Sequence, residues 1–393
     1  MSLFDRGGLL SLFLKLFAVL LCLPLLLSCS SDKPPIRVGV VLPLSGAFQI
    51  YGEQGLKGAQ LAVEKINAEG GVLGGYPLEL VVRDNETIPA EAVRYSRELI
   101  QIENVFALLG PVSSSARYAM SEVAAQHKVP QLYGIDYEGE HYNRYLICYS
   151  TIPEHYVSPI IPYLNDNYGG SFYIFGYDYI WPHKMSDRIL SEVEKVGGVV
   201  SGIEFTPFAV KDYTPVFQRI EASGARNLLL ILPGNDGFNF LTQMSKFSFG
   251  RPLTTFAFAA DESYLKAVPS EALDGVYTAL HFISSWQSPA FQRFVAQYQE
   301  RFGEQVSVTY SSKSHYDLIY LLKSAIEKAG SLDREQAASA LQGLKLYSGQ
   351  ETVALREDHH FDLPMFLGQF NQKSLNVIKP LGTIRPSDQR VGH

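Results

Sequence analysis

The stretch LLGPVSSSARYAM, Leu108 to Met120, contains the pattern that decides the fold. An apolar run stops at Gly110-Pro111, and the serines Ser113 to Ser115 follow where helical periodicity begins. A buried strand that ends in turn residues and leads into a helix is one unit of a parallel α/β sheet. Ligands of such sheets bind beyond the carboxyl ends of the strands. The stretch therefore predicts a βα unit and a place for a ligand.

The same alternation extends in both directions. IRVGVVLPL from Ile36 and PLELVVRD, Pro77 to Asp84, are predicted strands, with an amphipathic helix between them. The pattern restarts after Ser150 with SFYIFG and NLLLILPG, and the helical stretches Pro289 to Phe302 and Ser311 to Gly330 follow. Repeated βαβ units predict an α/β fold with two Rossmann-like lobes, each built on a parallel sheet.

Composition narrows the class of protein. The chain has 393 residues, of which 46% are hydrophobic, enough for two cores. The formal net charge is -7, and no run of Lys or Arg is dense enough to follow a phosphate backbone. Nucleic acid is therefore not an expected partner.

The N-terminus has the features of an export signal. Arg6 and Lys15 precede the apolar run Leu16 to Ser28, which is too short to span a bilayer. Leu26-Leu27-Ser28-Cys29 resembles a bacterial lipobox, so we expect a signal peptide over residues 1–28, lipidation at Cys29 and a tether over 29–35. The alternative is a plain secretory signal with a chance cysteine. In either case the body is expected outside the cytoplasmic membrane, and in the first case it touches a membrane only through the lipid.

Loops after several predicted strands contain residues suited to ligand binding. Hydroxyls and unpaired N–H groups at the start of a helix can hold an anionic or carbonyl oxygen. Clustered aromatic and acidic side chains at equivalent strand ends point to one shared pocket. Each has a structural alternative, since a serine is often an N-cap, tyrosines are often core residues, and Asp261 could cap a helix. The candidates are Ser113, Ser114, Tyr133, Asp136, Tyr179, Trp181 and Glu262.

Five segments together resemble one family of proteins. They are LPLSGAFQIYGEQGLKGAQLAVEKINAEGGVLG, LLGPVSSS, LYGIDYEG, YDYIWP and the closing TIRP. The chain is similar to the solute-binding proteins of the branched-chain amino acid, amide and urea group of ABC transporters. The resemblance implies a type I periplasmic binding protein fold with three crossings between lobes. It also implies one lobe over 36–150 and 280–346 and another over 151–279 and 347–393.

The resemblance also implies roles for individual residues. Ser114 would hold the polar head of the ligand, and Glu262 would receive its nitrogen. The expected aromatic lining residues are Tyr51, Tyr133, Tyr179 and Trp181. Ile135 and Asp136 replace the small residue and threonine that amino-acid binders place after the fourth strand. Either Asp136 turns away, or the ligand is neutral or carries extra donors, as a urea, an amide or a cationic amino acid does.

The leading functional hypothesis is a lipid-anchored binding protein that captures urea, a short amide or an amino acid and delivers it to an ABC permease. The alternative is a sensor subunit that uses the same closure. An enzyme is not expected, because the sequence has no GxSxG, Walker, HExxH or CxxC motif. We expect His359 and His360 to be solvated in a polar loop, and His183 and His281 to be structural. No cofactor or metal is expected.

Overall fold

The computed structural model describes residues 33–347 and 352–390. The expected signal peptide and Cys29 lie outside these residues. The first sheet is entirely parallel, in the order β2-β1-β3-β4-β5. Its strands are β1 (Ile36–Leu42), β2 (Leu78–Asp84), β3 (Ala107–Leu109), β4 (Gln131–Tyr133) and β5 (Leu146–Cys148). Its connecting helices are α1 (Gln49–Ala68), α2 (Pro89–Gln101) and α3 (Ser114–Gln126).

The second sheet has the order β14-β13-β10-β9-β8-β6-β7. Its strands are β6 (Ser171–Tyr177), β7 (Val199–Thr206), β8 (Asn227–Ile231), β9 (Thr254–Ala257), β10 (Tyr277–Leu280), β13 (Leu363–Phe370) and β14 (Leu375–Ile384). The helices that precede or connect its first strands are α4 (Pro153–Tyr168), α5 (Ile180–Lys195), α6 (Thr214–Ser223), α7 (Asn235–Met244), α8 (Tyr264–Ala267) and α9 (Ser270–Leu273). β13 and β14 pair antiparallel and extend an otherwise parallel sheet. The predicted α/β class is confirmed, and the antiparallel pair is an addition to it.

The remaining elements lie between β10 and β13. They are α10 (Pro289–Phe302), α11 (Tyr310–Ala329), α12 (Arg334–Leu341) and a hairpin of β11 (Lys345–Tyr347) with β12 (Thr352–Ala354). α11 packs against α1, beside the first sheet. The chain thus passes between the two sheets more than once, while the lobe boundaries near residues 150, 280 and 346 stay a prediction. In the part of the chain described here, no helix is long and apolar enough to cross a membrane.

The central strand β1 shows why the sequence forms this sheet. Val38, Val40, Val41 and Leu42 are all fully buried. A parallel strand covered by helices on both faces needs apolar side chains on both faces, so its sequence is a continuous apolar run. The same reason explains the uninterrupted NLLLI of β8.

Gly110 ends β3 for a steric reason. Its φ is +109°, and a Cβ there would lie 2.2 Å from the carbonyl oxygen of Val41. Only glycine fits this backbone approach, because any side chain would collide with β1. The strand therefore stops at Gly110, and α3 begins four residues later.

The interface between α1 and α11 depends on glycines. A Cβ at Gly58 would lie 2.0 Å from the carbonyl oxygen of Ser312, and one at Gly55 would lie 2.8 Å from the ring of His315. These two glycines lie three residues apart on one face of α1, so the two helix backbones approach closely there. This contact fixes the start of α11 against α1.

The expectation that His359 and His360 are solvated is wrong. Both are buried, and the backbone oxygen of His359 accepts from the N–H of Cys148 in β5 at 3.0 Å. The side chain of His360 contacts the hydroxyl of Tyr137. The polar segment REDHHFDLP lies along the edge of the first sheet, so its rings are enclosed. Burial lowers the pKa of His360 to about 4.

Gly58→Ala tests the helix contact. Alanine in a helix interior normally stabilises by about 1 kcal/mol relative to glycine. Here the added methyl meets the backbone of Ser312, so we expect a net loss of roughly 1–3 kcal/mol in the free energy of unfolding. Chemical denaturation of the purified protein measures it.

The control is Gly250→Ala, where a Cβ would meet only the end of the Glu221 side chain at 3.0 Å. Equal stability of the Gly58→Ala protein and the parent chain would show that the two helices do not need this close approach.

Candidate functional site

A cavity lies where the carboxyl ends of the two sheets meet. Its volume, measured for a water-sized sphere, is about 20 Å³, far below the roughly 300–1,000 Å³ typical of small-molecule sites. The wall is formed by residues from both sheets and from the start of α11. They are Phe48, Tyr51, Val112, Ile135, Asp136, Tyr179, Trp181, Pro233, Ala259 and Tyr310. The position agrees with the rule that ligands bind beyond the carboxyl ends of parallel strands.

Four of the candidates from the sequence meet in this wall. Tyr51 is in the first turn of α1, after β1, and Asp136 follows β4. Tyr179 and Trp181 come from the second sheet, at the start of α5 after β6. Each therefore occupies the loop or first helical turn after a strand, which is why four separate segments converge.

Direct contacts cross the cavity between the two sheets. The hydroxyl of Tyr51 donates to the carbonyl oxygen of Ala259 at 2.9 Å. The ring of Phe48 lies 6.0 Å from the rings of both Tyr177 and Tyr179, and 5.7 Å from that of Phe208. A hydrogen bond and a group of aromatic contacts thus join the two sides at the cavity.

Asp136 lines the cavity, and one of its two carboxylate oxygens has no well-formed hydrogen bond. Its Oδ1 accepts from the hydroxyl of Thr151, whereas its Oδ2 is buried and has no partner among the described residues. Burial raises the pKa of Asp136 well above its usual value, and the nearby charge of Asp261 adds to the increase. Asp136 therefore faces the cavity side of the sheet with an unused acceptor.

Two more residues of the cavity wall have unpaired polar atoms. The indole Nε1 of Trp181 and the hydroxyl of Tyr310 are buried without a well-formed hydrogen bond in the described chain, although they lie near the hydroxyl of Tyr156 and the carboxyl group of Asp136, respectively. Buried polar groups are nearly always paired, so several orphans around one cavity indicate a missing partner. Together with Asp136 they offer one acceptor and two donors.

The two serines have other roles in this structure. Ser113 is the N-cap of α3, and its hydroxyl oxygen accepts from the N–H of Ala116 at 3.4 Å. The hydroxyl of Ser114 donates to Glu138 at 2.6 Å, and Glu138 forms a buried ion pair with Arg117. Neither serine belongs to the described wall of the cavity. A buried carboxylate needs donors beyond its ion-pair partner, and Ser114 is one of them.

Tyr133 and Glu262 are also placed behind the wall rather than in it. The hydroxyl of Tyr133 donates to the carbonyl oxygen of Val112 at 2.7 Å, behind the cavity. Glu262 accepts from the N–H of Ser284 at 2.6 Å. The resemblance implied that Ser114 and Glu262 hold a ligand across the cavity. In the described structure neither residue lines this cavity.

The acidic group of the second sheet that acts on the cavity is Asp261. Its Oδ1 accepts from the N–H of Ser263 at 2.9 Å, and its Oδ2 has no partner in the described chain. After burial, which is the larger cause, its charge contributes to the raised pKa values of Tyr51 and Tyr310. Sequence reasoning treated Asp261 as a possible helix cap, which is only part of its role.

Sequence reasoning missed Phe48 and Tyr310. Phe48 lies in the loop after β1, a strand end equivalent to the others, so the same rule could have found it. Tyr310 is the first residue of α11, after the N-cap Thr309. The element directly before it is the helix α10 and not a strand, so only the packing of α11 on α1 brings Tyr310 to the cavity. Within residues 33–347 and 352–390, no group of three or more His, Cys, Asp or Glu side chains is arranged to hold a metal ion.

Comparison with known sequences gives a match over most of the chain. The family model described as "Periplasmic binding protein" matches residues 35–374. The Leu/Ile/Val-binding protein homolog 6 of Brucella abortus (strain 2308) is 26% identical over 342 residues, which cover 84% of this chain and 86% of the relative. By their descriptions these are binding proteins.

Solved structures have the same fold. LivJ from Streptococcus pneumoniae, in complex with isoleucine, has a TM-score of 0.79 at 19% identity and covers 90% of this chain and 100% of its own. A solute binding protein of an ABC transporter from Rhodopseudomonas palustris BisB5, in complex with 3,4-dihydroxy benzoic acid, has a TM-score of 0.82 at 20% identity. It covers 91% of this chain and 99% of its own. At these identities the likeness shows the fold alone.

Glu262→Gln tests the electrostatics behind the cavity. Burial raises the pKa of Glu262 to about 8, and the charge of Asp261 adds to this. The folded protein therefore keeps a proton that the unfolded chain releases above its ordinary pKa, so the free energy of unfolding falls as pH rises from about 5 to 8. Glutamine cannot ionise, and its Oε1 can still accept from Ser284. The free energy of unfolding should therefore fall less across this pH range in the Glu262→Gln protein than in the parent chain. We expect the difference to be on the order of 3 kcal/mol, measured by chemical denaturation.

The matched control is Glu122→Gln on α3, where the side chain is exposed. If the free energy of unfolding of both variants changed with pH as it does in the parent chain, Glu262 would not be desolvated as the structure shows.

Proposed function

Because the chain belongs to the periplasmic binding protein family, we propose that it is an extracytoplasmic solute-binding protein that captures a small polar ligand between its two sheets. Members of this family bind solutes outside the cytoplasmic membrane. The observation that supports the site is the cavity at the carboxyl ends of both sheets, with three unpaired polar atoms on its lining residues. A ligand that touches both sides favours the closed form, because only that form completes its contacts. We propose no catalytic step.

The ligand range of this proposal is urea, a short amide or an amino acid. The Brucella abortus relative is described as a Leu/Ile/Val-binding protein homolog, which supports the amino-acid class. Ser114 and Glu262 are not among the described lining residues of the cavity, so binding is proposed through Tyr51, Asp136, Tyr179 and Trp181, with Tyr310.

Delivery of the bound solute to an ABC permease is the second part of the proposal. Solved structures with this fold include substrate-binding proteins of ABC transporters, which supports it. A sensor subunit would use the same closure to signal to a regulator. Genes for a permease and an ATPase beside this one would favour transport, and genes for a kinase or a chemoreceptor would favour sensing.

Trp181 offers a direct assay of ligand binding. The chain has two tryptophans, and Trp286 packs on Phe366 rather than in the cavity wall. In a Trp286→Phe protein, emission reports on Trp181 alone. We expect urea, acetamide or leucine to change this emission saturably, and calorimetry to give the matching affinity. If no solute of these three classes changes the emission or releases heat, the proposed ligand range is wrong.

Tyr51→Phe tests the contact across the cavity. The substitution removes the hydrogen bond to the carbonyl oxygen of Ala259 and leaves the ring in place. We expect the affinity for the solute found above to fall about threefold to tenfold, the usual net worth of a neutral hydrogen bond.

Tyr168→Phe is its control, because the hydroxyl of Tyr168 contacts that of Tyr277, away from the cavity. An equal loss of affinity in both variants would indicate a general effect on stability instead of a contact of the closed form.

Lipidation at Cys29 is also part of the proposal. It follows from the lipobox-like Leu26-Leu27-Ser28-Cys29. We expect Cys29→Ala to move the protein from the membrane fraction to the soluble fraction, because one anchor is lost without change to the body. Cys148→Ala is the control, since Cys148 is a buried free thiol. A parent protein that is already soluble, with an unmodified N-terminal mass, would contradict the anchor.

A further inference from the structure

Half of the cavity wall is aromatic. The rings belong to Phe48, Tyr51, Tyr179, Trp181 and Tyr310. They come from both sheets and from α11, so they surround the space and do not form one stacked face. A cation within about 6 Å of several such ring faces is attracted by their negative potential. Aromatic cages of this kind recognise ammonium groups, and methylated ones in particular.

The described wall of the cavity contains an acidic side chain and no basic one. In the described chain the wall contains the carboxylate of Asp136 and no Lys, Arg or His. Asp261, fully buried, adds a second carboxyl group whose charge acts on Asp136. The buried guanidinium of Arg117 lies against the ring of Tyr137, 4.1 Å from its centroid, and its charge is compensated by Glu138. Nothing in the wall balances Asp136.

Two donors accompany the acidic group. The indole N–H of Trp181 and the hydroxyl of Tyr310 lack partners, as does Oδ2 of Asp136. A ligand that satisfies all three atoms has a positively charged or N–H-bearing end and an oxygen that accepts hydrogen bonds. A buried polar atom without a hydrogen bond is costly, so a ligand that supplies these hydrogen bonds gains more here than an apolar ligand does.

We propose that the natural ligand is a small organic cation with a hydroxyl or carbonyl oxygen, its cationic head held by Asp136 and the surrounding aromatic rings. This inference rests on the proposed solute-binding function, and it replaces the ligand range of urea, short amides and amino acids with a cationic class for the same cavity. Asp136 is then the residue that determines specificity.

The same wall disfavours other classes of ligand. A carboxylate such as a benzoate would meet no cation in the described wall, and it would have to bind beside an Asp136 that keeps its proton. A branched-chain amino acid has the same difficulty at its carboxylate end. Urea and short amides meet the hydrogen-bonding atoms but leave the carboxylate charge of Asp136 unbalanced.

Calorimetry with a matched pair of probes tests the charge alone. Choline and 3,3-dimethyl-1-butanol have the same shape, and only choline carries a positive charge. We expect choline or ethanolamine to bind at least tenfold more tightly than the uncharged alcohol. Leucine, urea, acetamide and benzoate complete the panel, and native mass spectrometry of protein purified without denaturation identifies any solute that it already carries.

Asp136→Asn tests the residue. Asparagine keeps the oxygen that accepts from Thr151 and removes the charge, so the fold should persist, as a thermal melt would verify. We expect the affinity for the bound cation to fall roughly 10- to 100-fold, since hydrogen bonds to charged groups are the stronger ones. The control is Asp178→Asn, whose side chain is exposed and pairs with His183. It should bind the cation as the parent chain does.

The possible outcomes separate this inference from the proposed function. Tight binding of leucine, urea, acetamide or benzoate without binding of either cation would overturn the inference and keep the solute-binding function. Equal affinity for choline and its uncharged isostere, or unchanged cation affinity in Asp136→Asn, would overturn it as well. A protein that binds no probe and carries no solute would count against both.

Discussion

Asp136 is a buried carboxyl group in the cavity wall, and the buried Asp261 after β9 is close enough for its charge to act on Asp136. Neither group has an ion-pair partner in the described chain. Desolvation of such groups is costly unless a proton or an opposite charge offsets it. The structure meets part of this cost with hydrogen bonds from Thr151 and Ser263. The other oxygen of each carboxyl group has no well-formed hydrogen bond in the described chain, which supports the proposal that a ligand binds beside Asp136.

The rest of the molecule positions these groups. The apolar run of β1 and the glycine at position 110 fix the first sheet, and the close contact of α1 with α11 brings Tyr51 and Tyr310 to the same space. The Tyr51 hydroxyl then reaches Ala259 on the other side. Packing of glycines far from the cavity is therefore linked to the geometry of binding. A change in the helix contact would move two rings of the wall at once.

Binding proteins of one fold differ in the few residues that face the ligand. Solved relatives with this fold hold isoleucine in one case and a hydroxylated benzoic acid in another. In this chain the wall combines aromatic rings with a carboxyl group and with no basic side chain. The fold supplies a cleft that can shut, while the charge and hydrogen-bonding groups of the wall select the solute. We therefore propose that selectivity lies in the residues after β4 and β6 rather than in the scaffold.

The sequence by itself determined the α/β class and the βα units, because buried parallel strands need continuous apolar runs. Strand ends predicted Asp136, Tyr179 and Trp181 and the family resemblance predicted Tyr51, and all four line one cavity, while their part in ligand binding stays a prediction. The sequence could not determine that Ser114 bonds to Glu138, that His359 and His360 are enclosed, or that Tyr310 enters the cavity. Those facts depend on contacts between segments far apart in the chain. Local sequence patterns do not specify which distant atom pairs with a buried hydroxyl or which residue covers a ring. Only tertiary packing determines these contacts.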